Sequence, residues 1–124
     1  MKKTVLLVED DSILSEMYQS KLNREGFEVI TADNGENGLS LALQIHPEII
    51  LLDILMPKMD GMTLMKKLRE DHWGQNVPII ILTNLNMNDK ISQGISKDHP
   101  TYFFMKTEVT PSDVVDRVKE VLNK

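Results

Sequence analysis

A chain of 124 residues has room for one hydrophobic core, and a second independent one is not expected. At 41% hydrophobic and 27% charged, with no run of membrane-spanning length, the composition excludes both a disordered chain and a transmembrane one. The absence of cysteine excludes disulfides and thiolate metal sites, and a net charge of -5 argues against direct nucleic-acid binding through a basic surface.

In chain order, Met-Lys-Lys enters an apolar run at Thr4–Val8 without the long apolar stretch of a signal peptide, so the expected location is the cytoplasm, off the membrane. Strand patterns follow at Phe27–Thr31, Glu48–Leu52, Val77–Leu82 and Tyr102–Met105. Between and after them lie helical patterns at Ser12–Glu25, Glu36–Ile45, Met62–Glu70, Met87–Ile95 and Ser112–Leu122. The last helix has the firmest start, with Thr110 at the N-cap, Pro111 at N1 and Asp113 at N3. Gly26 closes the first helix as a C′ glycine. Strict β-α alternation implies a parallel sheet covered on both faces. The first, third and fourth strands are apolar at nearly every position, whereas Phe-Glu-Val-Ile-Thr partly alternates and reads as an edge. The expectation is a flavodoxin-like doubly wound five-stranded parallel sheet, order 2-1-3-4-5, with five helices on both faces and a site outside the C-terminal strand ends.

Polar residues recur at those ends. The first strand runs into Glu9-Asp10-Asp11, the third into Asp53, the fourth into Thr83-Asn84 and the fifth into Lys106. Taken singly, each has an ordinary explanation: an acidic pair beside a helix dipole, a turn, an N-cap or a solvated lysine. Together they gather carboxylates, a hydroxyl and an ammonium at one edge. Clustered carboxylates repel one another unless a cation joins them, so Glu9, Asp10 and Asp53 suggest Mg²⁺. Asp53 would then be the nucleophile toward a phosphoryl group, Lys106 its point charge and Thr83 a hydrogen-bond donor.

Val-Glu-Asp-Asp at 8–11, Leu-Leu-Asp-Ile-Leu-Met-Pro-Lys-Met-Asp-Gly at 51–61, Ile-Leu-Thr at 81–83 and Lys106 resemble the receiver domains of two-component response regulators, in register along the whole chain. The resemblance implies one receiver domain over residues 1–124, phosphorylated on Asp53 by a sensor histidine kinase or a histidine phosphotransfer protein. It implies that Asp10, Asp53 and the backbone carbonyl of Leu55 hold Mg²⁺, with Glu9 acting through a water. It places Thr83 and Phe103 at switch positions. A downstream protein would be met through the face of the fourth helix, fifth strand and fifth helix, with a homodimer as a further outcome of phosphorylation. Such a domain is a switch, not an enzyme beyond its own phosphorylation and dephosphorylation.

Three departures from the family fall on or beside that output face. Thr107 replaces the usual proline, which predicts a trans Lys106–Thr107 bond. Lys97-Asp98-His99-Pro100-Thr101 replaces a small turn, and the fourth helix carries Gly94 with only Met87, Ile91 and Ile95 as apolar positions. Leu55 and Leu85, two residues after Asp53 and Thr83, predict a slowly hydrolysed acyl phosphate. Met56, Met59, Met62 and Met65 are expected to fill the core around the third helix, and Trp73 to pack. His46, His72 and His99 are given no role. The competing readings are weaker. A haloacid-dehalogenase-type phosphatase or phosphotransferase wants a second acid where Leu55 stands, an FMN site wants a phosphate loop where the first strand ends in acids, and a pseudo-receiver interaction module would not need the complete polar set.

Overall fold

The computed structural model describes residues 2–83, 100–106 and 108–123. Five parallel strands, β1 (Thr4–Val8), β2 (Glu28–Ala32), β3 (Ile49–Leu52), β4 (Ile79–Thr83) and β5 (Tyr102–Met105), form one sheet in the order β2-β1-β3-β4-β5. The described helices are α1 (Ser12–Arg24), α2 (Gly35–Ile45), α3 (Gly61–Glu70) and the C-terminal helix (Pro111–Leu122), with a 3-10 turn at Trp73–Gln75. The helix expected at Met87–Ile95 lies outside the described residues, as do Leu85, Asn84, Gly94, His99 and the bond to Thr107.

The near-continuous apolar runs of β1, β3 and β4 follow from cover on both faces. Successive side chains point to opposite sides. Leu6, Val8, Ile50, Leu52, Ile79 and Ile81 therefore meet Ala42 of α2 and Leu64, Met65 and Leu68 of α3. Val5, Leu7, Ile49, Leu51, Ile80 and Leu82 meet Tyr18 and Leu22 of α1 and Val114, Val118 and Leu122 of the C-terminal helix. Met65 is fully buried, and Met56, Met59 and Met62 pack against the first of these clusters, as expected of gap-filling methionines. Trp73 packs there too and stacks on His46, with ring centroids 4.2 Å apart.

Element ends obey local chemistry. Asp11 caps α1 by accepting from the N–H groups of Ile13 and Leu14, and Thr110 and Asp113 form a reciprocal capping box on the C-terminal helix. Gly26, at φ 94°, ends α1 in a Schellman motif: the Phe27 N–H donates to Leu22 O and the Gly26 N–H to Asn23 O. Phe27, expected to open β2, is therefore the residue after the cap, and its ring packs in the same cluster as Leu22. β4 begins at Ile79, two residues later than expected. Pro78 has no N–H to give, and it joins the sheet only through its carbonyl, which accepts from Ile50 N at 3.0 Å.

Candidate functional site

The ladders run one residue past the strands and carry the polar residues with them. The Glu9 N–H donates to Ala32 O (3.0 Å), the Asp53 N–H to Val8 O (3.1 Å) and the Lys106 N–H to Thr83 O (2.8 Å). Since Val8 is in register with Leu52, Glu9 and Asp53 leave the sheet side by side; Thr83, paired with Met105, is the buried last residue of β4. Four strand ends thus deliver their polar side chains to one edge.

Glu9 and Asp53 are only 4% and 6% exposed, so their charges need partners. The Lys106 ammonium supplies one, lying 2.7 Å from Glu9 Oε1 and 3.1 Å from Asp53 Oδ2. The other oxygen of Glu9 accepts the Asp11 N–H at 3.1 Å. Burial pushes the Glu9 carboxyl up from its ordinary value; the hydrogen bonds from Lys106 and Asp11 pull it back only in part, and Asp53 repels its charge. Burial works against the Lys106 ammonium too, but the bond to Glu9 and the charges of Asp53 and Glu9 outweigh it, so its pKa is raised. Tyr18 is pushed up to about 12 by burial and by the charge of Glu9.

Asp53 Oδ1 is buried and has no hydrogen-bond partner among the described residues. Glu9, Asp10 and Asp53 each offer a carboxylate oxygen, and these atoms lie within 4.8 Å of one another; Asp10 is exposed. An all-oxygen set of mixed burial with one orphaned oxygen fits a hard divalent cation that keeps several waters. Leu55 follows two residues after Asp53 in the loop after β3 and is 57% exposed. Phe103 of β5 is half-buried and packs against the cluster beneath α2 and α3.

The loop from Asp53 to Gly61 is tightly made. Gly61 N–H donates to Ile54 O at 2.8 Å and Met59 N–H to Pro57 O at 2.8 Å, the latter closing a γ-turn over Lys58 at φ 69°. Asp60 accepts from Thr63 N and caps α3. A β-carbon on Gly61 would collide with the Asp53 carbonyl. Sequence reasoning missed the cap at Asp11 and the packing of this loop. The first was hidden within a run of three acids, and the second depends on an approach between distant segments.

The family model for the response regulator receiver domain matches residues 5–119. The master transcriptional regulator RpaA of Synechocystis sp. is 32% identical over 121 residues, which cover 97% of this chain and 49% of that protein. The alkaline phosphatase synthesis transcriptional regulatory protein PhoP of Bacillus subtilis is 32% identical over 124 residues, 100% of this chain and 50% of that protein. The chain thus spans about half the length of the curated relatives it matches. A receiver domain protein from Methanospirillum hungatei superposes with a TM-score of 0.89 at 26% identity, covering 99% of this chain and 95% of that one. With sheet order, acidic cluster and family match in agreement, the chain belongs to the response regulator receiver domain family, the phosphoacceptor switches of two-component signalling.

Proposed function

We propose that Asp53 is the phosphoacceptor of this switch and that Mg²⁺ is its metal. The carrying observation is the state of the Asp53 carboxylate: buried, one oxygen on Lys106 and the other without a partner among the described residues. An Asp53 oxygen forms a bond to phosphorus while the bond from phosphorus to a donor histidine nitrogen breaks; the bond pair goes to that nitrogen, and the ring, protonated on its other nitrogen, leaves as neutral imidazole. Asp10, Asp53 and the Leu55 carbonyl would hold Mg²⁺, with Glu9 reaching it through water. When bound, the ion offsets the negative charge that the incoming phosphoryl group brings to these carboxylates. Lys106, now on Glu9 and Asp53, is within reach of a phosphoryl oxygen on Asp53. Thr83 turns its hydroxyl to the phosphoryl group, and the Phe103 ring moves inward.

The donor is a sensor histidine kinase or a histidine phosphotransfer protein, and the downstream target is a protein that meets β5 and the helices beside it. Dimerisation on phosphorylation and a cytoplasmic location belong to the same reading; no helix among the described residues is long and apolar enough to cross a membrane. The chain's own chemistry is confined to gaining and losing the phosphoryl group. Incubation with acetyl phosphate and Mg²⁺, followed by mapping of the modified residue, tests the assignment. Labelling at Asp53 that is lost in Asp53→Asn and in excess chelator is expected, together with weaker Mg²⁺ binding in Asp10→Asn. Labelling that survives Asp53→Asn or chelation would refute it.

A further inference from the structure

We propose that Gly35, at the first turn of α2, is a positioning residue for the metal site, acting through the loop that carries Asp53 and Leu55. The inference rests on the Mg²⁺ reading above. A β-carbon at Gly35 would lie 2.6 Å from the carbonyl carbon of Met59 and 2.8 Å from its β-carbon, and closer still to its carbonyl oxygen. The helix start is therefore seated directly on the loop backbone.

Met59 cannot yield alone. Its N–H is tied to Pro57 O across the γ-turn, and the next turn of chain is held by Gly61 N–H on Ile54 O at 2.8 Å. At that end a β-carbon on Gly61 would lie 2.9 Å from both the Asp53 carbonyl carbon and the Ile54 α-carbon, so the loop has no slack there either. An atom added at Gly35 would push Met59 outward and move the segment between Asp53 and Gly61 as a unit. Leu55, whose carbonyl is the proposed ligand, lies within that segment. Asn34 fixes the seat by capping α2, its side chain accepting from Asn37 N at 2.9 Å, and is itself buried.

Gly74 supplies a matched control. A β-carbon there would collide with the backbone carbonyl of Leu68, 2.8 Å from its carbon, in the same kind of clash. That clash sits in the 3-10 turn before β4, at the end of the sheet away from the strand-end site. Both Gly35→Ala and Gly74→Ala should lower the melting temperature. Mg²⁺ affinity, measured by calorimetry well below either melt, should fall about tenfold in Gly35→Ala, as for other supports of metal ligands. Gly74→Ala should keep the parent affinity. Equal affinity in Gly35→Ala and the parent, or an equal loss in both variants, overturns the positioning role. If Gly35→Ala does not fold, Asn34→Ala frays the same helix start without adding an atom; weaker Mg²⁺ binding supports the role and unchanged binding overturns it. Failure of the parent itself to bind Mg²⁺ overturns the metal reading and this role with it.

Discussion

Lys106 does two jobs at one position, and they pull against each other. It is the only described cation within salt-bridge distance of Glu9 and Asp53, so it stabilises two buried carboxylates that would otherwise repel. Those carboxylates are also the ones proposed to serve Mg²⁺, so the ammonium competes with the ion. Two unit charges 4 Å apart interact by roughly 4 kcal/mol at an effective dielectric near 20. Much of that is recovered when Glu9, already raised in pKa, takes up a proton instead. Lys106→Met should therefore tighten Mg²⁺ binding by no more than about tenfold, or ~1.4 kcal/mol, while phosphoryl uptake falls. Weaker Mg²⁺ binding in that variant would mean that the lysine holds Glu9 in place more than it competes. Lys58 offers a second test at this scale. Its left-handed φ of 69° costs a non-glycine residue about 1–2 kcal/mol, against roughly 0.5–1 kcal/mol of extra chain entropy for glycine. Lys58→Gly is expected to be neutral or mildly stabilising by chemical denaturation. A loss above about 1 kcal/mol would show that the side chain, exposed as it is, has a structural contact.

Among the elements, α1 shows most plainly how a local signal sets a boundary. At Gly26 the φ of 94° suits glycine, yet a β-carbon there would touch nothing within 4 Å. The cost of Gly26→Ala is therefore purely that of backbone conformation, about 1–2 kcal/mol, and a cavity or clash contributes none of it. A thermal melt showing no loss would mean that the Schellman cap opens without penalty. The C-terminal helix starts where its capping box and Pro111 dictate, and its apolar stripe of Val114, Val118 and Leu122 is buried as the spacing requires. β4 and β2 were harder to bound from sequence. Val77 is buried and apolar, so periodicity includes it, but the missing N–H of Pro78 delays the ladder.

For the whole molecule, the proposed metal site joins two segments that the chain separates, Glu9–Asp10 and Asp53–Leu55, so ion binding should be coupled to folding. An ion that binds only the folded state stabilises it by about 2.7 kcal/mol at a hundredfold excess over Kd. For a domain of this size that is a rise of roughly 10 °C in Tm. The rise should appear with Mg²⁺, vanish on adding chelator and shrink in Asp10→Asn. A Tm that responds equally to NaCl of matched ionic strength would point to general screening of the acidic surface instead.

The sequence by itself determined the alternation of strands and helices, the order of the sheet and the residues at its C-terminal edge. These rest on period, capping chemistry and the rule that parallel strands present their ends together, all of which are local or topological. It also places Glu9, Asp53, Thr83 and Lys106 at one edge, because each stands at or just past the end of an apolar strand run. The tertiary structure alone decided which of them touch. Lys106 reaches both Glu9 and Asp53 because the β1, β3 and β4–β5 ladders each extend one residue further, and register between distant strands is not written in either one. It likewise decided that α2 rests on the loop after β3 through Gly35 and Met59, 24 positions apart, where the controlling quantity is a missing atom. Residue type says that glycine permits such an approach; only the folded chain says what approaches.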